Sequence, residues 1–280
     1  MSIFRSIKML RRPLVRGLSS KESSVDLFID REGIALITLK RQPVNSLNLE
    51  ALQELSSAVN VVQNNKCKGF ILTSAAKIFS AGIDLNELHK PDLNRIRALW
   101  SKMQDLFLQI YGTGDITSTA AINGYTAAGG CALALLCDYR VMVAESKAKI
   151  GLNDTAVGII PRPWLCARMI QVMGHKQGEI ALTASTMYSA EEALKVNLID
   201  EVSSDNNDAI EKCKQFIRRY DNISAEIKKN TKRFVRDDTI KLVEMNREED
   251  LKLFVEGILD PHTQENIAKM INQLKSKKQK

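Results

Sequence analysis

The feature that most constrains this chain is a rhythm of short apolar runs alternating with amphipathic segments, held from Val25 to Val143 and then dropped. Asp26–Ile29 and Ile34–Leu39 read as two strands around Arg31-Glu32-Gly33, a hairpin turn signal. Leu49, Leu52, Leu55, Val59 and Val62 then recur at helical spacing behind Asn48, a good N-cap. Gly69–Thr73 is an apolar run of the kind buried in a sheet, and residues 92–112 form a helix. Ser118–Ile122 reads as a strand, Gly129–Cys137 as a short apolar helix, and Tyr139–Val143 as a further strand. This alternation predicts an α/β domain whose helices cover a largely parallel sheet. Beyond about residue 200 the pattern becomes wholly helical; Leu251, Phe254, Val255 and Ile258 lie at i, i+3, i+4, i+7, and Pro261 ends that helix.

Length and charge narrow the function classes. The 280 residues suffice for one large domain or two small ones with a sizeable core. The longest run without a strongly polar side chain, Ala127 to Cys137, is too short to span a bilayer, so no membrane span is expected. The formal charge of +7 is unevenly placed: Arg5, Lys8, Arg11, Arg12, Arg16 and Lys21 precede any carboxylate, and the remainder holds 34 cations against 33 anions. A nearly neutral folded part argues against nucleic acid as a partner. The first segment is Arg-rich, contains serines and lacks acids, which predicts a mitochondrial presequence over residues 1–22 and a location in the mitochondrial matrix. A plain basic tail is the alternative. Five scattered cysteines fit a reducing compartment, and three distant histidines argue against a metal site or a His-based triad.

Two glycine-containing segments could carry chemistry. In Phe79-Ser80-Ala81-Gly82-Ile83-Asp84, small residues follow a strand and let a ligand approach the main chain. In Ala121-Ile122-Asn123-Gly124-Tyr125-Thr126-Ala127-Ala128-Gly129-Gly130-Cys131, a strand and loop feed a helix whose first turn is Gly129-Gly130. Free N–H groups at such a helix start, reinforced by the helix dipole, suit a developing oxyanion. Tight turns and close helix–sheet contact demand the same residues, so spacing alone leaves both readings open. There is no G-x-G-x-x-G and no Walker pattern, which removes the dinucleotide and P-loop classes.

The two segments, in this order and about 45 residues apart, are joined by three others. These are Arg41-Gln42-Pro43-Val44-Asn45-Ser46-Leu47-Asn48, Cys137-Asp138-Tyr139-Arg140 and Gly151-Leu152-Asn153-Asp154-Thr155. In combination they resemble the crotonase (enoyl-CoA hydratase/isomerase) superfamily over roughly residues 25–270. The resemblance implies a crotonase fold of repeated ββα units, with a core over residues 23–203 and a C-terminal helical region, 204–280, that builds homotrimers. It also implies an acyl-CoA substrate that carries its own coenzyme A, with no further cofactor. Transferred residue by residue, the oxyanion donors are the backbone N–H groups of Ile83 and Gly129, and Ala81, Gly82, Ile83, Asp84 and Leu85 line the path of the adenine and pantetheine.

The number of carboxylates then separates two activities. Hydratases of the family use two around an attacking water, whereas shifting a double bond needs one carboxylate to carry a proton from C2 to C4 through a dienolate. The first hydratase glutamate falls at Ala132 and the second at Asp154. The resemblance therefore implies isomerisation of 3-enoyl-CoA to trans-2-enoyl-CoA, in the β-oxidation of unsaturated fatty acids, with Asp154 as the proton shuttle. Isomerase members carry Glu where Asp154 stands, and the missing methylene withdraws the carboxyl by about 1.5 Å. Misplacement by roughly 1 Å can cost about 100-fold in rate. A catalytically weak acyl-CoA-binding relative is accordingly the alternative. Asp84, Asp138 and Arg140 are expected in caps and ion pairs, Cys131 and Cys137 in the core, and Tyr125 and Trp164 either at the acyl pocket or in the core.

Overall fold

A computed structural model describes residues 23–145 and 147–278; the expected presequence lies outside the described residues. β1 (Val25–Ile29) and β2 (Ile34–Leu39) form an antiparallel hairpin, in which Asp30 Oδ1 accepts the N–H groups of Glu32 and Ile34 at 3.0 Å each. α1 (Leu49–Asn64) begins at its expected cap, where Asn48 Oδ1 accepts the Ala51 N–H at 3.0 Å, and its apolar stripe is buried. β3 (Gly69–Ser74) follows, then the single turn α2 (Leu85–Leu88) and α3 (Leu93–Phe107), which a π-helical turn extends over Leu108–Gly112. Next come β4 (Thr117–Ile122), β5 (Thr126–Ala127), α4 (Gly129–Leu136), β6 (Tyr139–Val143) and β7 (Ile150–Gly151). α5 (Pro163–Met173), α6 (His175–Thr183) and α7 (Ala190–Lys195) precede β8 (Glu201–Ser203). Four helices complete the described residues: α8 (Asn206–Arg218), α9 (Ala225–Glu244), α10 (Arg247–Leu259) and α11 (Pro261–Lys278).

The main sheet has the order β1-β2-β3-β4-β6-β8 and is parallel apart from β1; β5 and β7 pair in a second, two-stranded sheet. β3 and β4 are buried along their whole length because helices cover both faces. β4 begins Thr117-Ser118-Thr119, a poor apolar run, yet burial costs little where each hydroxyl finds an acceptor; the Thr119 hydroxyl donates to Phe70 O at 3.0 Å. The larger core lies between the sheet and α1, α3, α4 and α5. On the other face Ile34, Ile71, Ala121 and Val141 meet Ala209, Cys213 and Ile217 of α8. Burying each such Ile contributes about 1.5–3 kcal/mol.

The C-terminal part departs from expectation in two ways. The chain is not wholly helical after residue 200, because β8 adds a parallel edge strand against β6. With three residues and one central apolar side chain, Val202, it is too short to show a period. α8 also belongs to the sheet layer, since its Ala209-Cys213-Ile217 stripe closes the second face. Pro261 opens α11 as well as following α10: Asp260 Oδ2 accepts the Thr263 N–H at 2.9 Å, and a proline loses nothing at a first helical position.

The last helices are tied to the core by named contacts. Asp138 forms ion pairs with Lys232 and Arg236, joining the α4–β6 corner to α9. Burial acts to raise its pKa, but the two cations outweigh it and the carboxyl ionises below its ordinary range. Arg140 pairs with Asp200 at 2.7 Å. Phe254 of α10 stacks on Trp100 of α3 at a centroid distance of 3.7 Å. α11 turns back over α2, with Gln264 Nε2 donating to Leu88 O at 2.8 Å. No helix among the described residues is long and apolar enough to cross a membrane.

Candidate active site

Ser80 organises the first loop. Its hydroxyl donates to Asn45 O at 2.7 Å and accepts the Gly82 N–H at 3.1 Å. Leu47 N–H donates to Gly82 O at 2.8 Å and Leu47 O accepts Asp84 N–H at 3.0 Å. Both bonds come from the residues flanking Ile83, so the N–H of Ile83 itself faces the opposite side.

Gly129 stands on that side. A Cβ built on it would lie 3.2 Å from Ile83 N, so any side chain would crowd the space in front of that donor. Gly82 is equally constrained: it has φ +87°, and a Cβ there would meet Ala127 O, Ala128 Cβ and Gly129 N at 2.9 Å each. The bend that brings the loops together is taken by Ala128, at φ 49° and ψ −121°. Such a conformation costs about 1–3 kcal/mol in a residue with a Cβ. It is held by Ala128 N–H to Gly151 O at 3.0 Å and by Ala132 N–H to Ala128 O at 2.9 Å. Gly129 is the first residue of α4, so its N–H has no acceptor within the helix and lies at the positive end of the dipole. Among the described residues, neither Ile83 N–H nor Gly129 N–H donates to a backbone acceptor outside the regular elements.

Both donors open onto a cavity of about 630 Å³. Asp154 lines it too, as the first residue of a 3-10 turn, Asp154–Val157. Ile159 N–H to Asp154 O at 3.1 Å and Gly158 N–H to Thr155 O at 3.0 Å hold that turn. The residue keeps some accessible surface, yet its Oδ2 is sealed from water and has no partner among the described residues. Burial raises the pKa from its ordinary 3.8 to about 6, against a small opposing effect of its own backbone N–H. A carboxyl so placed can take up and return a proton near neutral pH. Ala132 presents a methyl group to the same cavity.

The structure brings most of the sequence-derived site residues together. Ala81, Ile83, Asp84, Leu85, Gly129 and Asp154 all line the cavity. Gly82 does not; it stands behind the wall, where its missing side chain lets the two loops touch. Asp84 caps α2 and pairs with Arg41 at 2.9 Å. Its carboxyl is pulled below the ordinary range: burial works upward, but the Asn86 donors and Arg41 prevail. Tyr125 lines the cavity, whereas Trp164 is in the core. Cys131 and Cys137 are fully buried, and burial pushes both thiols up, so neither offers a thiolate.

Two parts of the wall were not anticipated. Met270, Ile271, Leu274 and Lys275 of α11 close one side. Arg162, Trp100 and Phe254 line another, with Asp250 behind them. Their positions span more than 150 residues of sequence, and no local period links them. Arg162 alone carried a local signal, a cation fixed between Pro161 and Pro163.

The chain belongs to the enoyl-CoA hydratase/isomerase, or crotonase, family, whose sequence profile matches residues 30–278. It is 35% identical over 273 residues to the mitochondrial enoyl-CoA delta isomerase 1 of Rattus norvegicus, covering 96% of this chain and 93% of that protein. Identity to the Mus musculus protein of the same name is 36% over 248 residues, covering 88% of this chain and 85% of that one. The crystal structure of human mitochondrial delta3-delta2-enoyl-CoA isomerase superposes with a TM-score of 0.87 at 32% identity, over 91% of this chain and 99% of that one.

Proposed function

We propose that the protein is a Δ3,Δ2-enoyl-CoA isomerase, acting in the β-oxidation of unsaturated fatty acids. The observation that carries this reading is a cavity onto which the Ile83 and Gly129 N–H groups open, with a carboxyl at Asp154 whose Oδ2 is sealed from water, but a methyl group at Ala132. In the proposed reaction the thioester oxygen of 3-enoyl-CoA accepts hydrogen bonds from Ile83 N–H and Gly129 N–H. The Asp154 carboxylate removes a proton from C2, and the electron pair delocalises into a dienolate whose charge the two donors stabilise. The same carboxyl then returns the proton to C4, leaving the double bond between C2 and C3. Hydration needs a second carboxylate to activate water, and Ala132 cannot supply one. Ala81, Ile83, Asp84 and Leu85 would follow the adenine and pantetheine of the substrate.

The wider setting belongs to the same proposal: a homotrimer in the mitochondrial matrix, with residues 1–22 as presequence, 23–203 as core domain whose second face α8 covers, and the later helices of 204–280 as the assembling region. It is supported by the relatives named mitochondrial and by apolar side chains left uncovered on α9, including Phe234 and Val235 at 83% and 77% exposure. A second reading, acyl-CoA binding with weak turnover, is favoured by the short reach of Asp154 relative to Glu. Incubating purified protein with 3-enoyl-CoA and measuring 2-enoyl-CoA separates the two. Sustained turnover supports the isomerase; acyl-CoA binding without product supports the second reading.

A further inference from the structure

The buried wall of the cavity holds a charged group that the double-bond shift does not use. Arg162 lines the cavity and is only 8% exposed. Its Nε donates to Asp250 Oδ1 at 2.8 Å. Asp250, 4% exposed, also accepts from Trp100 Nε1 and Gln104 Nε2, each at 2.8 Å to Oδ2. The carboxylate is therefore satisfied without the two Nη nitrogens of Arg162, and these donate to no group among the described residues. Neither is among the sealed polar atoms that lack a partner, so both keep accessible surface on a residue that fronts the cavity. The neighbouring wall is apolar: Trp100, Met103, Leu165 and Phe254. A guanidinium kept there with open donors is costly unless something fills them.

We propose that Arg162 is a specificity-determining residue that receives an oxygen acceptor at the far end of the acyl group. The preferred substrate is then an ω-oxygenated acyl-CoA, ending in a carboxylate, hydroxyl or carbonyl, and not in a methyl group. This rests on the acyl-CoA reading of the cavity given above. The guanidinium is well held for the task. Asp250 pins Nε, and the Pro163 ring keeps Arg162 extended at φ −74° and ψ 153°. The free Nη edge of a planar guanidinium presents parallel donors to one or two oxygens. Because Asp250 already offsets its charge, a hydroxyl or carbonyl is accepted without net charge, whereas a carboxylate adds one; the two chemistries are therefore compared directly.

The test uses saturated thioesters, which bind but cannot isomerise. Calorimetry on the full protein compares hexanoyl-, octanoyl- and decanoyl-CoA with the ω-carboxy and ω-hydroxy thioester of each length. At the length that reaches Arg162, one oxygenated form should bind about tenfold or more tighter than its methyl-ended counterpart. The double variant Arg162→Met with Asp250→Asn removes both charges together and should abolish that preference. Arg162→Lys, which keeps a cation for Asp250 but loses the fork, should weaken it and stands in if the double variant does not fold. Equal or tighter binding of the methyl-ended form at every length overturns the proposal, as does a preference that survives the substitutions. If no thioester binds at all, the acyl-CoA reading of the cavity falls and this proposal with it.

Discussion

Asp154 holds carboxyl oxygen Oδ2 out of reach of solvent, and that placement serves the proposed proton transfer at a cost in stability. Ionisation is opposed until about pH 6, so if Asp154 is the base as proposed, kcat/KM should rise with pH through that value and then level. A profile already flat from pH 4 upward would contradict this. Stability should move the other way. The folded-state pKa lies above the ordinary 3.8, so the native protein holds the proton longer than the unfolded chain between about pH 4 and pH 6. Stability therefore falls as pH climbs through that window and stays lower above it, by about 3 kcal/mol from this group. Asp154→Asn should remove the fall and raise the unfolding free energy at pH 7, measured by urea titration, while isomerisation is lost. Asp154→Ala should likewise abolish turnover with acyl-CoA binding nearly unchanged. Asp154→Glu, which lengthens the side chain by one methylene to the residue that the family resemblance implies at this place, should raise kcat by about 10- to 100-fold. A fall would mean that the turn over Asp154–Val157 has adapted to the shorter acid.

Two elements, the loop after β3 and the start of α4, matter only through their contact. Gly129→Ala would put a methyl group 3.2 Å from Ile83 N, in the space where the thioester oxygen is proposed to sit. Loss of one such donor typically costs about 10²–10³ in kcat. We expect a fall of that size, with the far-UV circular dichroism unchanged; unaltered kcat would remove Gly129 from the proposed chemistry. As a tight loop and a helix start these elements were readable in the sequence because their signals are local; that they form a site was implied only by the family resemblance. The run from Leu49 to Val62, the glycines at positions 82 and 129, and the Asn48 cap each depend on a few neighbouring residues. β8 and the Arg162–Asp250 pair were not readable. The first has too few residues to show a period, and the second is made by side chains 88 positions apart whose meeting depends on how α10 docks on α3.

For the molecule as a whole, sequence pattern alone gave an α/β sheet with helices outside it; the motifs added the crotonase family, and the structure added how the tail closes the site. α11 supplies part of the cavity wall, a contact between distant segments that no motif announces. The uncovered apolar residues of α9 are proposed to meet other copies of the chain. Light scattering should give the mass of a trimer, and replacing Phe234 and Val235 together by Glu should shift it towards monomer; a stable wild-type monomer would contradict the assembly. The proton path is the most demanding test, because the proposed shuttle, a single partly buried carboxyl, should carry one proton between two carbons with little exchange. A 3-enoyl-CoA labelled with deuterium at C2 should yield 2-enoyl-CoA with a substantial share of that deuterium at C4 when the reaction runs in ordinary water. Complete loss of the label to solvent, at a rate unaffected by Asp154→Ala, would contradict the shuttle.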